Sequence, residues 1–517
     1  MNRNIAIQQL NSGKIWDVLV IGGGSTGLGT ALEAASRGYS TLLLEQSDFA
    51  KSTSGKSTKL VHGGVRYLAQ GNIKLVREAN IERGLLFKNA PHLVKNQSFI
   101  IPVYNLWDKI KYTIGLKLYD WIAGSWSLGS SNFISANKVI EKIPAINKKN
   151  LIGGVLYHDG QFDDARLAIN LAQTIFDKGG FAINYMKVTA FTKNLSTING
   201  VIALDVEAGN NFEIRARSVV NATGVFADDL LQMDDPGYRK MICVSQGVHV
   251  VLDKKFLSSG HALMIPKTSD GRVLFVIPWH NKVLVGTTDT PVKEASLEPI
   301  ALDSEIEFIL QTTGTYLTEK PARKDVLSVF AGLRPLAAPL DGGSVTKEIS
   351  RSHKILISSS KLFTILGGKW TTYRKMGEDM INKIENKLQW RHRTVTTISL
   401  AIHGFKKDLD WNDPFYFYGN DDKHIRQLIE NADEWISEEL HIHKAQIIWA
   451  VEEEMARTVE DVLSRRTRAL LLDANEAIRI ASAVADIMSD ILGKDEQWIE
   501  DQMNSFRSVA QNYTLIN

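Results

Sequence analysis

The chain has 517 residues, 44% of them hydrophobic and 23% charged, with a formal net charge of +2. That length supports two or three domains with buried cores, and near-neutral charge without a basic block excludes the footprint of a nucleic-acid binder. Cys243 is the single cysteine, which excludes an internal disulfide and a cysteine metal cluster and suits a reducing compartment. No metal site is expected. The opening MNRNIAIQQLNSGKIWD lacks the apolar core of a signal peptide. No run of about eighteen apolar residues is present, so no spanning helix is expected, while binding to a membrane surface stays open.

Residues 17–45 read as strand, glycine turn, helix and strand. DVLVI is a β-branched run suited to a strand buried on both faces. GGGSTG follows, then LGTALEAASRG at helical spacing, stopping at Gly38 as a C-cap glycine, and TLLLE is a second buried strand. Gly22, Gly24 and Gly27 form G-x-G-x-x-G between strand and helix. The first glycine permits the tight turn, the second admits a pyrophosphate, and the third lets the helix pack on the strand. The helix N-terminus offers N–H groups to phosphate, and Glu45 ends the second strand where a carboxylate accepts from a ribose. Together these predict dinucleotide binding.

SGKSTKLVHGGVRY, residues 54–67, ends like a P-loop at its Gly-Lys-Ser. Ala50 stands where that motif needs its first glycine, and Gly55 lies ten residues beyond the strand ending at Glu45, so the P-loop reading fails. The stretch instead suits the segment that passes beneath a flavin. Ser57, Thr58 and Lys59 would bond phosphate and ribityl oxygens, His62 would contact the cofactor, and Gly63 and Gly64 would let backbone approach a flat ring. Covalent attachment of the flavin at His62 is a minor alternative.

Further along, LWDKIKYTIGLKLYDWIAGSW (106–126) sets Trp107, Ile110, Ile114, Leu118, Trp121 and Ile122 at near-helical spacing, beside Lys109, Lys111 and Lys117. An interfacial helix and a core-facing helix both produce this stripe. DARLAINLAQTIFDKGG (164–180) reads as a helix capped by Asp163 or Asp164, and SVVNATG (218–224) as a buried strand entering a glycine turn. A strand ending in Ala222, Thr223 and Gly224 recurs in flavoproteins of the glutathione-reductase type. That turn, and an N-terminal unit completed by distant segments, favour FAD over NAD. VHVVLD, RVLFVIPW and KVLVGTT predict antiparallel sheet, and from about residue 425 the chain reads as helical. In that region EEEMARTVEDVLSRRTR carries acidic and basic faces suited to an oligomer contact such as a homodimer, with a solvated helix face as the plain alternative.

The motifs DVLVIGGGSTGLGTALEAASRG, STKLVHGGVRYL, DDARL, VNATGVFAD, VFAGLRPL, GGKWTTYRKM and RTVEDVLSRRTRALLLDA span residues 17 to about 475. Taken together, the sequence resembles the FAD-dependent, quinone-linked (aerobic) glycerol-3-phosphate dehydrogenases, within the D-amino-acid-oxidase-like superfamily. Phe226 is a departure, standing where many relatives carry Trp. The resemblance implies an α/β fold with a Rossmann-like FAD-binding domain of the glutathione-reductase/D-amino-acid-oxidase type. An antiparallel-sheet substrate domain and an α-helical C-terminal domain complete it. The FAD-binding domain would comprise residues 13–90, 151–232 and 326–400, the cap or substrate domain 91–150 and 233–325, and the helical domain 401–517.

The resemblance also implies a reaction: oxidation of sn-glycerol 3-phosphate to dihydroxyacetone phosphate, with electrons passed to a membrane quinone. The enzyme would be cytoplasmic and held peripherally on the inner face of the cell membrane. A glycerol-3-phosphate oxidase, reducing oxygen to hydrogen peroxide, is the alternative. A phosphomonoester needs several cations and bidentate donors, and Arg66, Arg334, Arg351 and Lys369 match basic positions of the family site, with Tyr67 and Thr372 adding hydroxyls. Amides near Lys369–Thr372, with Gly332, Gly368 and Thr371, would face the flavin. Arg334 and Lys369 would also serve the chemistry, and His249 is the candidate base, with a buried structural histidine as the competing reading.

Overall fold

The computed structural model describes residues 1–68, 71–268, 271–337, 353–431 and 434–515, without the side chains of residues 66, 67, 337 and 431. Two sheets organise it. The first runs in the order Lys354–Ile357, Leu362–Leu366, Asn211–Asn221, Trp16–Ile21, Thr41–Leu44 and Phe181–Ile183. Its four inner pairings are parallel, and Lys354–Ile357 adds an antiparallel edge. Alternation along Trp16–Ile21 feeds two cores. Val18 and Val20 pack with the helices Ser25–Ser36, Asp164–Asp177 and Tyr373–Leu388, while Leu19 and Ile21 face the opposite layer. This is why DVLVI reads as continuously apolar: both faces are covered.

The local signals hold at residue level. Gly38, at φ +78°, follows the Ser25–Ser36 helix in the left-handed conformation expected of a C-terminal glycine. Asp163 is the cap of the Asp164–Asp177 helix, its carboxylate accepting the Arg166 N–H at 3.1 Å.

The second sheet runs Thr290–Val292, Ile242–Asp253, Lys282–Gly286, Leu274–Trp279, Ala262–Ile265, Val94–Val103, Gly153–Phe162 and Leu60–Val61, with Val326–Ala337 paired to Ile242–Asp253. The three predicted runs pair antiparallel as expected, and among the described residues the one parallel contact of this sheet joins Ala262–Ile265 to Val94–Val103. One face of this sheet carries Val251, Leu284 and Phe330 into the core of the C-terminal region, where they meet Val462, Leu470 and Val484. That region is helical as predicted, apart from a two-stranded sheet of Trp435–Ser437 and Ile442–His443.

EEEMARTVEDVLSRRTR departs from the plain sequence reading. Most of it is interior and not a solvated face, because Glu454, Asp461, Arg465, Arg466 and Arg468 are all buried, while Glu452 and Glu453 stay exposed. Opposite charges within the protein neutralise one another there, so the amphipathic charge pattern arises from internal ion pairs. The Leu106–Ala123 helix departs in the other direction. It buries Leu116, Tyr119 and Ala123 and turns Trp107, Ile110, Ile114, Leu118 and Trp121 outward, with Trp107 74% and Trp121 78% exposed. The core-facing alternative is thereby removed for these five side chains, while Ile122 of the same stripe is half-buried against Val76 and Tyr119. No helix among the described residues is long and apolar enough to cross a membrane.

Candidate active site

A cavity of about 660 Å³ opens at the C-terminal ends of Trp16–Ile21 and Thr41–Leu44 and runs to the second sheet. Ligands of open parallel sheets bind at this edge. At the dinucleotide end the glycines are held by close contacts. Gly22 adopts φ +111°, and a Cβ there would lie 2.6 Å from the Ala222 carbonyl oxygen. A Cβ on Gly27 would collide with the Gly22 carbonyl, so Gly27 sits behind the cavity wall as the packing glycine of the motif. Gly24 is the N-cap of the Ser25–Ser36 helix and supplies no side chain to the helix amides. Glu45 accepts the Gly23 N–H at 2.6 Å and the Ser47 N–H at 2.9 Å. Burial pushes the Glu45 pKa up despite those two donors.

Thr223 and Gly224 lie across from these glycines, with Asn221 Oδ1 accepting from the Thr223 hydroxyl at 2.7 Å. Sequence reasoning missed the far wall, Met186 to Val188, which arrives after a Tyr185 turn at φ +54°. No local pattern distinguishes that strand from any other surface hairpin.

The segment 54–64 divides in two. Thr58 and His62 line the cavity. Ser57 also reaches it, but its hydroxyl donates to Asp164 Oδ2 at 2.6 Å. Lys59 does not reach the cavity. It is fully buried, 2.7 Å from both oxygens of Asp164 and from the Gly55 carbonyl, so it fixes the segment from behind. Lys56, absent from the sequence-based set, also lines the cavity but is paired with Glu298. Gly63 and Gly64 lie off the cavity lining, Gly64 at φ +82°, and a Cβ on Gly63 would strike Tyr119 and Asn80.

Two paired strands build the reactive end. In Ile242–Asp253 and Val326–Ala337, Ser245 faces Arg334, Gly247 faces Gly332 and His249 faces Phe330. Directly opposed residues share a face, so Arg334 and His249 stand on one side of the sheet with two glycines between them. A Cβ on Gly247 would collide with the Arg334 guanidinium, and one on Gly332 would sit 2.9 Å from the Lys56 carbonyl oxygen. Arg334 is positioned by the Gln246 carbonyl at 3.2 Å, the Thr288 carbonyl at 3.0 Å and Asp289 at 3.3 Å. It still leaves 29% of its side chain exposed.

His249 stacks on Phe330, with ring centres 5.0 Å apart, and its Nε2 is 3.0 Å from Thr58 Oγ1. Its Nδ1 is buried without a hydrogen-bond partner among the described residues. Burial first, then the charges of Arg334 and Lys59, hold its pKa well below the ordinary value, so the ring is neutral at pH 7.

The third wall is the turn from Leu362–Leu366 into the Tyr373–Leu388 helix. Gly367 and Gly368 take φ +72° and +95°, and Lys369 and Thr371 follow on the cavity lining. Thr371 Oγ1 accepts the His62 N–H at 3.3 Å, joining this turn to the flavin-type segment. Thr372 is buried behind the turn. Arg66 and Tyr67 lie in the helical turn Val65–Leu68, their side chains outside the described residues, and Arg351 lies outside them altogether. The structure therefore brings Glu45, Thr58, His62, His249, Arg334 and Lys369 around one cavity.

A cleft of this length, with a glycine cradle and helix N-terminus at one end and a neutral histidine beside cations at the other, suits a dinucleotide reaching a small anionic substrate. Comparison with known proteins agrees. Residues 17–374 match the FAD dependent oxidoreductase model, and residues 364–499 match the model of the C-terminal domain of alpha-glycerophosphate oxidase. The chain is 36% identical to the mitochondrial glycerol-3-phosphate dehydrogenase of Bos taurus, aligning over 98% of this chain and 74% of that protein. It is 34% identical to the Saccharomyces cerevisiae enzyme of that name, over 98% and 92% of the two chains. The glycerol-3-phosphate dehydrogenase of Bacillus halodurans, solved with FAD, superposes with a TM-score of 0.81 at 28% identity, over 99% of this chain and 97% of that one. The chain belongs to the FAD-dependent oxidoreductases and, within them, to the family of glycerol-3-phosphate dehydrogenases. The fold alone is shared with the L-alpha-glycerophosphate oxidase of Mycoplasma pneumoniae, at 16% identity and a TM-score of 0.57.

Proposed function

We propose that this chain oxidises sn-glycerol 3-phosphate to dihydroxyacetone phosphate and passes the electrons to a quinone dissolved in the membrane. FAD would be held by Gly22, Gly24, Glu45, Thr223 and the Gly367–Thr371 turn, and when bound it supplies the acceptor for the hydride leaving C2. The observation that carries the reading is the pairing of a neutral His249 with Arg334 across a glycine gap. His249, whose ring lines the cavity, would take the C2 hydroxyl proton as the carbonyl forms. Thr58 fixes the ring, and Arg334 and Lys369, joined by Arg66 and Arg351, would hold the phosphate dianion.

The outward face of Leu106–Ala123 supports the membrane part of the reading. Its large apolar side chains are on the surface beside Lys109, Lys111 and Lys117, as in a helix lying at a headgroup boundary. The match of residues 364–499 to the oxidase C-terminal model supports a second reading in which oxygen is the acceptor. Turnover with a short-chain ubiquinone analogue, measured beside oxygen uptake, separates them. Rapid quinone reduction with little uptake supports the first, and stoichiometric uptake with peroxide release supports the second.

A further inference from the structure

The charged stretch 452–468 does not line the cavity, yet its charges converge on the loop that walls it. Residues 46 to 54 pass along the dinucleotide end, where Ala50, Thr53 and Ser54 face the cavity. Asp48 points away from it and is fully buried. Its Oδ2 accepts from Arg465 Nε and from Arg466 Nη1 at 2.5 Å each, and its Oδ1 accepts from Arg466 Nη2 at 3.0 Å. Arg465 also holds Glu460 at 2.9 Å and Asp461 at 2.7 Å, and Glu460 pairs with Lys51 at 2.7 Å. Three cations, Lys51, Arg465 and Arg466, thus meet three carboxylates, Asp48, Glu460 and Asp461, and the balance is what permits burial.

These contacts join residues more than four hundred positions apart, and they act on a loop without regular structure for most of its length. Backbone that must present amides and hydroxyls to a phosphate needs its shape fixed beforehand. We propose that the C-terminal region is a determinant of dinucleotide affinity, with Arg465 and Arg466 as positioning residues that hold the 46–54 loop through Asp48. The inference rests on the reading that this cavity takes FAD.

The test is the affinity of the full-length apoprotein for FAD, followed by flavin fluorescence, in Asp48→Asn. The expected result is affinity weakened about tenfold or more, with the rate at saturating FAD within a few-fold of wild type. Glu460→Gln, which breaks the pairs to Lys51 and Arg465 from outside the cavity lining, is expected to weaken FAD several-fold, and it decides the matter if Asp48→Asn does not fold. Glu385→Gln breaks an equally buried pair outside this network, with Arg37 just past the Ser25–Ser36 helix, and is expected to lower the melting temperature while leaving FAD affinity unchanged. Unchanged affinity in both network variants overturns the proposal, and so does equal weakening in Glu385→Gln. A wild-type apoprotein with no saturable FAD binding would contradict the functional reading itself.

Discussion

Nε2 of His249 lies 3.0 Å from Oγ1 of Thr58, although 191 positions separate the two residues. The contact fixes the orientation of the ring beside the cavity, and the Thr58 hydroxyl can donate to that nitrogen or accept from it. His249→Gln should lower kcat by about a hundredfold or more while FAD content stays normal. Thr58→Val should cost less, because it frees the ring without removing it. Because burial and the charges of Arg334 and Lys59 hold the His249 pKa well below its ordinary value, the ring stays unprotonated through neutrality, and the acid limb of kcat/KM should lie below the ordinary histidine value of about 6.5. A limb centred near pH 7 would remove His249 from the role.

Gly27→Ala tests the dinucleotide end. The added methyl collides with the Gly22 carbonyl, so the glycine turn must open. We expect a protein that folds less stably by about 1–3 kcal/mol and purifies without flavin colour. Normal flavin content would show that the turn is not the cofactor cradle.

Trp107 and Trp121 are the most exposed large apolar side chains of their helix. Replacing both by Ser should weaken binding to vesicles containing anionic lipid by about tenfold or more, judged by sedimentation. Thermal stability should hardly change, because neither side chain packs in the core. Unaltered vesicle binding would place the membrane contact elsewhere.

His403 supplies a pH-dependent stability term away from the cavity. Its ring bridges Asp177 at 2.8 Å and Asp421 at 3.0 Å. Burial alone would lower its pKa, but the two carboxylates outweigh that and raise it to about 9. A raised pKa stabilises the fold fully below the unfolded value near 6.5, and the contribution is lost as pH rises through about 9. His403→Gln should therefore cost about 1–2 kcal/mol near pH 6 and close to nothing above about pH 10, by denaturant titration. An equal cost at both ends would assign the loss to packing.

The parts of the molecule legible in the sequence are those whose signal is local. The strand DVLVI, the three glycines and the carboxylate of Glu45 lie within thirty residues, and periodicity with glycine placement suffices to position them. The turn at Gly367 and Gly368 announces itself in the same way. What the sequence does not show depends on distant partners. Lys59 looks like a phosphate ligand until Asp164, 105 positions away, is seen to hold it. EEEMARTVEDVLSRRTR has the charge pattern of a surface helix, and only the return of Asp48 under it makes it core. The stripe from Trp107 to Trp121 is the reverse case. Helical spacing shows that one face is apolar, but not whether neighbouring elements cover it.

A cavity that brings a flavin and a phosphorylated polyol together must let the substrate reduce the bound flavin. The most direct measurement is a visible spectrum of the purified protein under anaerobic conditions, before and after sn-glycerol 3-phosphate is added. Oxidised-flavin absorption near roughly 450 nm is expected, disappearing on addition of the substrate. A flavin spectrum that persists unchanged in excess substrate would contradict this role for the cavity.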